Sequence, residues 1–179
     1  MINKKRIILF FIFMGLFSVS YQIGAISPVN EEDSALFLDE FKDLVDGIDG
    51  FGIFIHNLTI ALPMFIPGFG VAWGLFSGWS TGFAFASIVT SIPTLANFPP
   101  LAILYFSPFG IMELVAYSLG ISRSYMVIYA IIKHRSIKSQ LLIIAIEIGI
   151  VVVLLLIGGY LEFAMIEGAK NIVPSVEDL

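Results

Sequence analysis

Residues 51–92 contain no lysine, arginine, aspartate or glutamate, a run of 42 positions. A soluble fold would need polar groups there to turn outward. A bilayer needs the opposite, with every backbone group bonded inside a helix or a closed barrel. At ~1.5 Å per residue, a helix of that length would be about twice the ~30 Å of bilayer hydrocarbon. The run therefore reads as two crossings. Pro63 and the Pro67-Gly68 pair supply the break, because proline removes a backbone donor and disfavours helix in the residue before it. Helices are predicted over 51–65 and 69–92.

Composition points the same way: 58% hydrophobic residues against 13% charged, with a mean hydropathy of +0.97. This is the profile of an integral membrane protein. The formal charge of −5 misleads, since eight of the fourteen acids lie within 31–49. It describes one loop rather than a surface. No basic stripe exists to hold nucleic acid. The absence of cysteine excludes disulfides, thiolate nucleophiles, iron–sulfur clusters and thiolate metal sites.

Within 69–92, Gly70, Gly74, Gly78 and Gly82 recur every fourth residue and run on to Ala86. Helical geometry lays all five along one ridge of almost bare backbone. Each such glycine costs ~1 kcal/mol relative to alanine in a helix. Lipid gives a reason to keep them, because helices in a bilayer associate through close approach across small residues. Three uses are open to the ridge: packing within the chain, contact in a homo-oligomer, or lining a pore.

Elsewhere the chain is punctuated into further elements. Lys4-Lys5-Arg6 precedes an apolar run, and a first helix is expected over 7–25. Ser18-Val19-Ser20 would suit a signal-peptide cleavage site, but the apolar run exceeds the ~7–15 residues of a signal core and fits a retained span. Residues 30–50 form an acidic connector. Apolar positions at 36, 37, 41, 44 and 45 predict a short amphipathic helix in it, ended by Gly47 and Gly50. Pro93, Pro99, Pro100 and Pro108 mark an interfacial segment, 93–107, with a wholly apolar centre. A helix over 108–132, a basic hairpin at Lys133, Arg135 and Lys138, and a last helix over 140–163 complete the reading. The class is all-α, a polytopic bundle of about five spans in a single membrane domain. Five crossings place both basic clusters on one side, so the N-terminus is expected in the cytoplasm and the C-terminus outside.

Ionisable groups are few within the four later spans: His56, Glu113, Arg123 and Glu147. Such groups cost ~2.5–3.5 kcal/mol on insertion scales and normally face the protein interior with a partner. Arg123 lies ten residues before Lys133 and Glu147 nine after Lys138. In an antiparallel hairpin this gives them similar depth and predicts an ion pair, with snorkelling of Arg123 to the interface as the rival. His56 and Glu113 are each about five residues in from the outer ends of their helices, and with Asn57 they form a predicted polar cluster. Two carboxylates and a histidine so dispersed make no metal site. Gly68-Phe69-Gly70 follows no strand and lacks the acidic ribose ligand of a dinucleotide fingerprint. No serine stands in a nucleophile motif. No cofactor is expected.

Four segments occur in a recognisable order: Phe54-Ile55-His56-Asn57-Leu58, the stretch 68–74, Ser77-Gly78-Trp79-Ser80-Thr81-Gly82, and Ser107-Pro108-Phe109-Gly110-Ile111-Met112-Glu113-Leu114. Together they resemble the stage II sporulation protein M family over residues 54–120. Asn57, Gly78, Gly82, Pro108, Gly110 and Glu113 match its pattern. His56 and Ser77 stand where that family has asparagine, and Phe109 where it has histidine. The resemblance implies a helical membrane bundle of about five spans that works in a membrane complex and is not itself a hydrolase. The expected function is thus a non-enzymatic scaffold or accessory subunit in the cell membrane, with other membrane subunits as partners. The alternative is a small transporter or channel component whose polar step lies at His56 and Glu113.

Overall fold

The computed structural model describes residues 4–30, 32, 34–37, 39, 47–91 and 96–172, and these are helical with short connections. Helix α1 is Lys4–Ala25, α2 is Gly50–Ala61, α3 is Phe69–Ser91, α4 is Pro100–Phe106, α5 is Pro108–Ile132 and α6 is Leu141–Ile172. A 3₁₀ turn, Leu62–Phe65, continues α2, and another, Lys138–Gln140, leads into α6. The last helix thus runs nine residues beyond the expected 140–163, and residues 173–179 lie outside the described ones. So do most of the expected connector helix and residues 92–95, although 34–37 are helical.

Local chemistry explains where these helices start and stop. Asp49 caps α2 by accepting from the Gly52 N–H at 2.7 Å. Ser107 caps α5 by accepting from Gly110 N–H at 3.0 Å, with Pro108 at the favoured first position. Between α2 and α3 the turn closes through Ile66 N–H to Pro63 C=O and Gly70 N–H to Ile66 C=O. Gly68 adopts φ +79°, a conformation that side chains disfavour. At the end of α5, Arg135 N–H reaches back to Ala130 C=O with His134 in the left-handed region, a helix-stop motif usually built on glycine.

Three stretches are long and apolar enough to cross a membrane: Lys4–Ala25, Pro108–Ile132 and Leu141–Gly168. The protein is accordingly an all-helical membrane protein. Gly50–Phe65 is a shorter apolar helix. Helix α3 has the length, but its glycines, serines and tryptophans dilute its hydropathy. Large hydrophobic side chains cover the outside, Phe11, Phe106 and Leu142 among them. Such a surface suits lipid and would aggregate in water.

Helices α1 and α3 make the most extensive contact and run parallel. The glycine ridge is what brings them together. A Cβ on Gly82 would lie 1.9 Å from the Tyr21 carbonyl oxygen, and one on Gly24 would lie 2.0 Å from that of Trp79. Bare backbone thus meets bare backbone at this crossing. Further along the ridge, Gly78 faces the Phe17 ring, Gly74 faces Ile121 of α5, and Gly70 faces Met64 in the turn of its own hairpin. Ala86 is buried, and Ser87 beside it receives the Ser34 hydroxyl on its carbonyl at 2.7 Å. A second glycine contact, not anticipated from the sequence, joins α2 to α6. Gly159 there lies so close that a Cβ would be 2.8 Å from the Gly50 carbonyl oxygen. The core formed between these helices holds Phe17, Met64, Leu114, Ile121, Val151 and Leu155, all almost wholly buried.

Candidate functional site

Polar groups gather at the two ends of the bundle. At the end holding the start of α1, the end of α5 and the start of α6, Glu147 is gripped by two arginines. Arg123 donates from Nε to Oε2 at 2.6 Å and from a terminal nitrogen to Oε1 at 2.7 Å, a two-pronged pair. Arg6 donates from Nε to Oε1 at 2.9 Å, and its terminal nitrogens reach the Ser122 hydroxyl and the Leu119 carbonyl. Arg123 is only 3% exposed, so it does not snorkel. Planar guanidinium groups suit this arrangement because their fixed forks match carboxylate oxygens. Buried charges of this kind persist only when paired and fully bonded.

The sequence reading paired Arg123 with Glu147 but assigned Arg6 to an orientation signal. Its real contact lies 141 residues away, which no local pattern reveals. A cavity of about 480 Å³ opens beside this trio, with Lys5, Arg135 and Gln140 on its walls. The Lys5 ammonium lies 4.8 Å from the centre of the Tyr129 ring, within cation–π range.

At the other end, α2 and α3 diverge from the turn that joins them. Trp73 Nε1–H to Ile60 C=O, at 2.9 Å, ties the pair near that turn. Beyond it the gap holds a second cavity, of about 620 Å³. Its polar lining comes from His56 and Asn57 on α2, Ser80 and Thr81 on α3, Glu113 and Tyr117 on α5, and Glu162 on α6. Phe37 and Ile48 of the connector close one side. Asn57 is buried and donates from Nδ2 to Glu113 Oε1 at 2.6 Å. His56 faces the same cavity, but it is exposed and Glu113 takes its hydrogen bond from Asn57.

Glu162 and Tyr117 were missed by sequence reasoning. Glu162 sits three turns short of the end of a helix expected to stop at 163, and Tyr117 looked like one more aromatic core residue. The helical offset was available: Tyr117 is four residues after Glu113 and so shares its face. Among the described residues no group of three histidine, aspartate or glutamate side chains is placed to hold a metal ion. Comparisons with protein-family models, with curated proteins and with solved structures find no match.

Proposed function

We propose that this chain is a multi-pass protein of the cell membrane that crosses the bilayer five times and serves, without catalysis of its own, as a scaffold or accessory subunit of a larger membrane complex. The parallel course of α1 and α3 and the antiparallel meeting of Arg123 with Glu147 suit five crossings. Lys5, Arg6 and Arg135 lie at one end of the bundle. By the bias of short-loop cations toward the cytoplasm, that end faces inward and the acidic connector outward.

One observation carries the scaffold reading. Between the two cavities the bundle is closed: Leu114, Ile121, Val151 and Leu155 fill it, and Ser118 and Ser122 turn their hydroxyls onto carbonyls of their own helix. At the inner end Glu147 is taken up by two guanidinium groups. A path for solute would need a continuous polar lining instead. The resemblance of residues 54–120 to the stage II sporulation protein M family favours the same role. Purification in mild detergent, followed by mass spectrometry of co-purifying chains, tests it. A membrane protein recovered in fixed stoichiometry supports the scaffold. A monodisperse lone protein that moves solute across vesicles overturns it.

The outer cavity favours a second reading, a small transporter component with its polar step at His56 and Glu113. Solute flux into proteoliposomes that is lost in Glu113→Gln would establish it.

A further inference from the structure

The outer cavity brings two acidic side chains together. Its lining includes two carboxylates, Glu113 and Glu162, and no lysine or arginine among the described residues. Glu113 receives one hydrogen bond, from Asn57 to Oε1, and its other oxygen has no partner among the described residues. Glu162 forms no ion pair or hydrogen bond among the described residues. The inner end of the bundle behaves differently, since its single carboxylate is held by two guanidinium groups.

A second feature points into the same space. Tyr117 is 5% exposed and its ring packs on Phe17, 5.6 Å between centroids. Its hydroxyl has no hydrogen-bond partner among the described residues, yet no wholly buried polar atom among the described side chains lacks one. The two facts agree if the hydroxyl borders the cavity, which Tyr117 lines. Buried tyrosine hydroxyls ordinarily find a partner. Here the partner has to come from whatever fills the cavity.

We infer that the outer cavity is a binding site for a small organic cation of the alkylamine class, held by Glu113, Glu162 and the Tyr117 hydroxyl. Size and lining select this class. A bare divalent ion needs six or more oxygens at 2–2.6 Å, whereas these acceptors are spread around about 620 Å³. The remaining walls are apolar: Ile53, Ile60, Ala84 and Ile166 would cover a short hydrocarbon chain. Ammonium hydrogens meet the carboxylates as charge-assisted hydrogen bonds, and the tyrosine oxygen accepts another. His56, Ser80 and Thr81 are exposed at the rim, which leaves a way in. Binding is inferred, not transport, so the site stands under either reading of function.

The test is calorimetric titration of 1,4-diaminobutane into the full chain in nanodiscs of zwitterionic lipid. Saturable binding is expected. Glu113→Gln and Glu162→Gln should each weaken it about tenfold or more, the usual loss for one charge-assisted hydrogen bond. Tyr117→Phe should weaken it less, by a few fold. Glu113→Gln keeps an oxygen for Asn57, so folding is expected to survive, and a monodisperse elution profile checks this. Glu32→Gln on the acidic connector should bind as the parent does. Three results would overturn the proposal: no saturable binding, undiminished binding in the folded Glu113→Gln/Glu162→Gln double variant, or equal displacement by sodium at the same concentration. The second of these would place the cation on the connector.

Discussion

Arg6 and Glu147 are 141 residues apart in sequence and 2.9 Å apart in space. Their bond fastens the first helix to the last, with Arg123 of α5 completing the junction. The three partners are unequal. Removing Glu147 leaves two guanidinium groups buried together, whereas removing Arg6 leaves a bidentate pair intact. Glu147→Ala should therefore destabilise the bundle by ~3–5 kcal/mol, the cost of an uncompensated buried charge. Arg123→Ala should cost nearly as much and Arg6→Ala clearly less. Thermal unfolding in detergent, read by tryptophan fluorescence, ranks the three.

Reversing the Arg123–Glu147 pair is the usual check of an ion pair, and here Arg6 complicates it. In Arg123→Glu/Glu147→Arg, the new guanidinium at 147 would lie against that of Arg6. Like charges at this range repel strongly in a dry interior. Expression lost in either single variant should be restored only in part by the double variant. Adding Arg6→Gln should improve the rescue. Expression with all three changes no better than with two would mean that Arg6 and Glu147 are not coupled.

The ridge glycines differ in what an added methyl group would strike. At Gly82 and Gly24 the obstacle is backbone, at 1.9 Å and 2.0 Å. At Gly78 the Phe17 ring edge and the Phe17 carbonyl oxygen both lie at 3.2 Å, a tight contact rather than an overlap. Gly82→Ala and Gly24→Ala should thus push α1 and α3 apart at a cost of ~1–3 kcal/mol or more, while Gly78→Ala should be mild and Gly78→Leu severe. Gly15 has nothing within 4 Å, so Gly15→Ala should gain up to ~1 kcal/mol from helix propensity alone. Melting temperatures of the five variants give the order.

The α2–α6 contact permits a similar comparison. A Cβ at Gly159 would lie 2.8 Å from a carbonyl oxygen and 2.9 Å from a backbone nitrogen. Gly50 is met at 2.8 Å by the base of the Tyr160 ring and at 3.1 Å by the Tyr160 Cα, and Gly149 by nothing. Gly159→Ala is expected to be destabilising, Gly50→Ala less so, and Gly149→Ala neutral or stabilising. Because α2 carries Asn57 and α6 carries Glu162, Gly159→Ala should also weaken amine binding in the outer cavity. Calorimetry on the folded variant checks that link.

What the sequence disclosed and what it hid divide along physical lines. Signals carried by one element were legible. Pro63, Pro67 and Gly68 located the α2–α3 turn, Ser107-Pro108 located the start of α5, and the four-residue glycine spacing marked the ridge of α3. Depth arithmetic from the basic hairpin placed Arg123 level with Glu147. Equal depth likewise brought Asn57 to Glu113, but other contacts between distant elements left no trace. Arg6 looked like a cytoplasmic anchor because its position beside Lys4 and Lys5 suited that role. Gly158-Gly159 carries no fourfold repeat, so nothing hinted that α6 would touch the backbone of α2. Glu162 fell just inside the expected end of its helix, where an acid costs little, and nothing in that position signalled that it lines the outer cavity.

Five crossings require that the α2–α3 hairpin pass through the bilayer, with its turn at the inner end. Ser124 donates its hydroxyl to the Ile66 carbonyl at 2.6 Å, and Gly68 packs on Ile128. The turn therefore lies at the depth of α5 residues 124–128, five to nine positions short of Lys133. At ~1.5 Å per residue that is roughly 8–14 Å beneath the end of the helix, within reach of the headgroup region. The native chain has no cysteine, so single introduced thiols report unambiguously. Arg135→Cys should react with a membrane-impermeant maleimide only from the cytoplasmic face, and Asn97→Cys only from outside. Pro67→Cys is the decisive position. Slow labelling from the cytoplasmic face alone fits five crossings, with the turn recessed in the inner leaflet. Labelling from outside would mean that the hairpin enters and leaves on one side, and the number of crossings would fall to three.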